Sequence, residues 1–96
     1  MPLILFLSAC ASQSTEFFGA SRHDIEAGGL RFTVFHLDRR AEVIRHGYVN
    51  RAARDKVPGL MVQAVETATG CAVRPGSFQT GLPGDTGVAR VALNCP

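Results

Sequence analysis

The chain has no tryptophan, one tyrosine and a single lysine among its 96 residues. Charged residues make up only 19%, and the two signs nearly cancel to leave +2. A nucleic-acid binder usually concentrates far more positive charge on one face, so no nucleic-acid partner is expected. Nowhere do about 18 apolar residues run together, the length a membrane-crossing helix needs. Ten glycines and five prolines without a period exclude a fibrous chain. There is no C-x-x-C pair, and no internal repeat. What is present is 46% apolar content including six phenylalanines. That is too much for a disordered tail and enough for one small core.

The apolar residues are unevenly placed. Leu3-Ile4-Leu5-Phe6-Leu7 opens the chain and runs into small residues before a cysteine. The segment Leu7-Ser8-Ala9-Cys10 resembles the lipobox of bacterial lipoprotein signal peptides. That resemblance implies cleavage before Cys10, with a diacylglyceryl thioether on its sulfur. Residues 1–9 then form the signal peptide, 10–20 a lipidated tether rich in small polar residues, and 21–96 a single domain. A lipid on Cys10 makes the membrane a partner. The implied location is the bacterial cell envelope, facing the periplasm, with the outer membrane favoured because Ala11 carries no retention signal.

Setting Cys10 aside leaves Cys71 and Cys95, an even pair in an exported domain, which reads as a disulfide. The body also resembles small bacterial lipoproteins in which a helix ends in Thr-Gly-Cys and the last strand ends in Cys. That likeness spans residues 60–95 loosely and brings no activity with it.

Hydrophobic periodicity supplies the fold. His23-Asp24-Ile25-Glu26, a turn at Ala27-Gly28-Gly29, and Leu30–Leu37 read as strand, turn, strand. Asp38-Arg39-Arg40 turns into a third strand over Ala41–Val49, although arginines are weak chemistry for a tight hairpin. Between Lys56 and Thr69 the period lengthens. Val57, Leu60, Met61, Ala64, Val65 and Ala68 share one helical face, with Pro58 in the first turn and Gly70 at the C-terminal cap. Asn50 can cap an extra turn over Arg51–Arg54. A short strand at Ala72-Val73-Arg74 and a last strand over Gly87–Cys95 follow. The expectation is an α+β fold, an antiparallel sheet in the order βββαβ with one helix packed on one face.

Residues able to do chemistry are sparse. Pairing Asp38 with Ala41 places His36 and His46 on opposite faces. A loop one residue longer brings both to one face, but about 13 Å apart. Neither arrangement binds one ion, so no metal and no cofactor are expected. His23 with an acidic neighbour such as Asp24 is the remaining divalent-metal alternative. Asp85-Thr86-Gly87 resembles the aspartic protease triplet, but Pro83-Gly84 precedes it where that family has an apolar strand, and it reads as a turn. Ser8, Ser12, Ser14 and Ser21, four of the five serines, cluster in or beside leader and tether, where no scaffold holds a catalytic triad. No catalytic residue is expected.

Two surface features remain. Arg39, Arg40, Arg45, Arg51, Arg54 and Lys56 make the middle of the chain locally basic, either a solvated face or a contact for anionic headgroups. Phe35, Leu37, Ile44 and Tyr48 fall on the sheet face away from the helix. One helix covers one face, so these four are either an interaction face for an envelope protein or are covered by Phe17 and Phe18. The reading is a lipid-anchored envelope module that acts by binding and is not an enzyme. Alternatives are an inhibitor or accessory subunit of an envelope enzyme, and a divalent-metal-binding protein.

Overall fold

Gly28 and Gly29 set the first hairpin. In the computed structural model, which describes residues 17–81 and 86–96, both take left-handed backbone angles, φ 58° and 81°. Positive φ at both central residues gives a two-residue turn the twist that its strands need. The turn joins β1 (Ser21–Ala27) to β2 (Leu30–Leu37), with Ala27 opposite Leu30. Asp38 and Arg39 form a second two-residue turn into β3 (Arg40–His46), so Leu37 pairs with Arg40. Asp38 itself sits at φ 56°, a conformation Asp tolerates better than most residues.

Of the two pairings weighed from the sequence, that of Asp38 with Ala41 lies two residues from this register. A shift of two leaves every side chain on its original face. β3 also stops at His46, short of Val49, where Gly47 turns the backbone to φ 86°.

Asn50 caps α1 (Arg51–Arg54), its side chain accepting a hydrogen bond from the Ala53 amide at 2.9 Å. Pro58 then sits in the first turn of α2 (Val57–Thr69), where its missing amide proton costs nothing. The end of α2 explains the Thr-Gly-Cys sequence. The Thr69 hydroxyl donates back to the Val65 carbonyl at 2.8 Å and accepts from the Cys71 amide at 3.1 Å. Gly70 supplies the left-handed cap at φ 73°. Cys71 thus leaves the helix in a defined direction and is bonded to Cys95.

β4 (Ala72–Val73) and β5 (Gln79–Thr80) both pair with β6 (Val88–Asn94). Pro75-Gly76 bulges out between them, and the Ser77 hydroxyl fills the break. It accepts from the Ala92 amide at 3.0 Å and donates to the Arg74 carbonyl at 2.7 Å. The curled antiparallel sheet runs β1-β2-β3-β6-β4, with β5 also on β6. The α+β expectation stands. The order βββαβ is extended by α1 and β4, both expected as short elements, and corrected by β5, a polar two-residue strand that carries no periodic signal.

The core lies between α2 and one sheet face. Val57, Met61, Ala64 and Val65 meet Phe32, Val34, Ala41, Val43, Ala89, Val91 and Leu93, all buried. Leu60 and Ala68 complete the helical stripe as half-buried neighbours. With its ends 24 positions apart in sequence, the disulfide stabilises the fold by about 3.5 kcal/mol through the entropy of the unfolded chain. A Cys71→Ser, Cys95→Ser variant should lose about that much in urea unfolding.

The two turn glycines should separate under mutation. Gly28→Ala and Gly29→Ala each place a side chain in the left-handed region, at about 1 kcal/mol or more. Only at Gly28 would the new Cβ fall 2.7 Å from Leu60 Cδ2, whereas at Gly29 nothing lies within 4 Å. Denaturant titration should therefore show Gly28→Ala as the less stable of the pair.

Candidate functional site

The sheet face away from α2 is laid out in rows by the strand register. Arg22, Phe35, Glu42 and Arg90 align across β1, β2, β3 and β6. The next row holds Asp24, Thr33, Ile44 and Val88, and the one beyond it Glu26, Arg31 and His46. Of these, Thr33, Phe35 and Glu42 are buried, at 0%, 3% and 2% exposure. Glu42 meets the Arg90 guanidinium at 3.2 Å. A charge this far from water is retained only with such partners.

Thr33 connects two rows. Its hydroxyl donates to Asp24 Oδ1 at 2.8 Å and lies 2.7 Å from His46 Nε2. A hydroxyl has one proton, and it goes to the carboxylate, so Nε2 must carry the proton of the second contact. The Thr33 bond is the main reason that the Asp24 carboxyl titrates below its ordinary value of 3.8. Burial opposes the shift, while the charge and hydrogen bond of Arg22 at 3.4 Å and the charge of His46 reinforce it.

Around this relay opens a cleft of about 370 Å³, lined by Arg22, Asp24, Glu26, Arg31 and His46 with Ile25 and Phe32. The size suits a small ligand or one or two side chains of a partner. Its rim carries two guanidiniums and two carboxylates, so it favours a group offering both charge signs. The chain Asp24–Thr33–His46 has the order of a nucleophile triad, but the Thr33 hydroxyl is wholly buried and already bonded on both sides. Its geometry suits holding Asp24 and His46 in place rather than attack on a substrate.

The residues proposed as an interaction face are not presented together. Phe35, Leu37 and Ile44 do share the face away from α2, but Phe35 is buried and the other two are half-buried. Tyr48 lies beyond the end of β3 and is 85% exposed. Phe17 is buried too, under the Arg40 guanidinium at 5.5 Å from its ring centre, while its neighbour Phe18 is exposed. One of the two tether phenylalanines thus packs onto the domain.

The basic run divides between the two ends of the sheet. Arg39 and Arg40 sit at the β2–β3 turn, whereas Arg51, Arg54 and Lys56 follow the opposite end of β3. Arg45 is a structural residue, donating from Nε to the Thr86 carbonyl at 2.8 Å and from Nη1 to the Gly47 carbonyl. His23 pairs with Val34 on the α2 side, and Asp24 points the other way, so those two do not converge. His36 and His46 also fall on opposite faces. Instead His36 reaches the disulfide, where its ring and the sulfurs of Cys71 and Cys95 offer ligand atoms within 4.8 Å of one another. Cys10 and Asp85 lie outside the described residues.

No family model, curated protein or solved structure matches this chain. Neither the relay nor the His36 contact had a signature in the sequence, because each joins residues from separate strands. The only clue to the relay was the threonine set in the most apolar strand, a polar group that needs a partner wherever it is buried.

Thr33→Val keeps the volume but removes the bridge. The Asp24 pKa, followed by carboxyl NMR, should rise toward 3.8. A lowered folded-state pKa contributes stability that is full above the unfolded value and is lost as pH falls through the folded one. The wild type should therefore lose stability more steeply than Thr33→Val below about pH 4.

Proposed function

We propose that this protein is a lipid-anchored module of the bacterial envelope that binds a partner through the cleft at Asp24, Thr33 and His46. The observation that carries the reading is the buried Thr33 hydroxyl. A preorganised Asp–Thr–His chain at the edge of an open, mixed-charge cleft is a costly arrangement for a surface with no ligand. The partner that fits is an envelope protein offering a charged pair, which suits an accessory subunit better than a catalyst.

The lipobox-like Leu7-Ser8-Ala9-Cys10 supports the anchor, and among the described residues no helix is long and apolar enough to cross a membrane. Phe17, which is buried, lies seven positions after Cys10, a reach of at most about 25 Å. Phe17 packs at the Arg40 end of the sheet, and the cleft lies toward the Gly28–Gly29 end. A lipid on Cys10 would therefore hold the Arg39–Arg40 turn against anionic headgroups and turn the cleft toward the periplasm. Each basic group near such a surface adds about 1 kcal/mol.

Two measurements test this. Intact-mass analysis of the detergent-extracted protein should show a chain beginning at a diacylated Cys10, and Cys10→Ala should release it from the membrane. An unmodified Met1 terminus would end the anchor reading. Crosslinking in native envelopes should give a defined partner that is lost with Glu26→Arg, Arg31→Glu, two exposed positions whose exchange reverses the rim charges without touching the core. Retention of the partner by that variant would exclude the cleft.

A further inference from the structure

Outside the cleft, one cluster brings together side chains of known metal chemistry. His36 on β2, Cys71 after α2 and Cys95 after β6 are 35 and 24 residues apart in sequence, yet their ligand atoms all lie within 4.8 Å of one another. We propose that the dithiol form of this protein is a thiophilic metal site, holding one Zn²⁺ through Cys71 Sγ, Cys95 Sγ and the His36 imidazole. The disulfide form has no such site, because both sulfurs are spent on each other.

Three features support the assignment. The fold carries the two cysteines on different elements, β4 pairing with β6 beside them, so the sulfurs stay neighbours when their bond is absent. Their Cα atoms are 4.4 Å apart, close enough for side-chain rotation to set both thiolates about 3.8 Å apart on one tetrahedral ion, as bonds of about 2.3 Å require. The histidine's tautomer is already fixed. His36 Nε2 lies 2.8 Å from the Asp38 carbonyl, which can only accept, so Nε2 holds the proton and Nδ1 keeps the lone pair. Histidine ligands are held in this way by a backbone carbonyl that fixes the tautomer. The site opens on a surface depression lined by His36, Asp38, Arg39, Thr69 and Pro96 as well as the two cysteines, which gives an ion and a fourth, solvent ligand a way in.

The chemistry has two balanced steps. A dithiol reductant passes two electrons to the Cys71–Cys95 bond and becomes a cyclic disulfide, and its two protons end on the two sulfurs. Zinc then displaces both thiol protons to solvent as it binds. Oxidation and metal loading therefore exclude each other, and the pair reports whether the chain has been oxidised. This inference does not depend on the cleft or on lipidation.

The test uses the full chain, reduced without oxygen by a phosphine, which takes the oxygen of one water as the disulfide becomes two thiols, and then freed of the phosphine. Titration with zinc should give one ion per chain, and the oxidised chain none. Cobalt in place of zinc should give the thiolate charge-transfer band and tetrahedral visible bands. His36→Ala should weaken zinc by about tenfold or more and alter the cobalt spectrum, and His23→Ala should leave both unchanged. Circular dichroism follows α2 throughout. Reduced protein that retains no zinc overturns the proposal, and so does equal affinity in His36→Ala, whether the chain is folded or not.

Discussion

One helix can cover only one face of a sheet, and the rest of this structure follows from that limit. α2 lies over the face built from Phe32, Val34, Ala41, Val43 and the odd-numbered residues of β6. The strands must therefore present a second face that is neither simply apolar nor fully polar. The protein meets this with a mixed solution. Phe17 from the preceding segment buries one end, the Glu42–Arg90 pair and Phe35 occupy the middle, and the Asp24–Thr33–His46 chain occupies the other end. Each buried polar group there has a partner, without which it would cost about 1–3 kcal/mol. The candidate binding site is the part of this second face left open to water.

The disulfide completes the covered face. It joins the segment after α2 to the residue that follows β6. Cys71 is delivered there by Thr69 and Gly70, and its neighbour Val73 is held by the Glu66 carboxylate, which accepts from its amide at 2.8 Å. Placing the bond beside His36 is a consequence of the same packing, since His36 lies on the α2 side opposite Ala41. Structural and chemical roles of the two cysteines thus come from one arrangement.

The two ends of the sheet differ in kind. At the β2–β3 turn stand Arg39, Arg40, Phe17 and the disulfide with His36; at the β1–β2 turn stand the cleft and the start of α2. A run of basic residues that is continuous in sequence is separated by the length of β3, roughly 20 Å at strand spacing. Charge that looks concentrated along a chain is dispersed whenever a strand lies in the middle of it.

Most of the fold was legible because it rests on short-range regularities. The strand ranges of β2 and β6 follow from side-chain type and alternation, and pairing Asp38 with Ala41 keeps each side chain on its observed face although it is two residues from the observed register. The α2 stripe, the Asn50 cap and the Gly70 cap are equally local. β5 escaped because Gln79 and Thr80 pair through backbone groups, which leave no mark in side-chain type. The sequence by itself determined which residues face the core, where the helix begins and ends, and which two cysteines remain to pair. Only the tertiary structure decided that Thr33 bridges Asp24 and His46, that His36 meets the disulfide, and that Phe17 packs inward while Tyr48 stands free. Those are distances between side chains on different strands, and they depend on register and helix placement, to which periodicity within any one segment is blind.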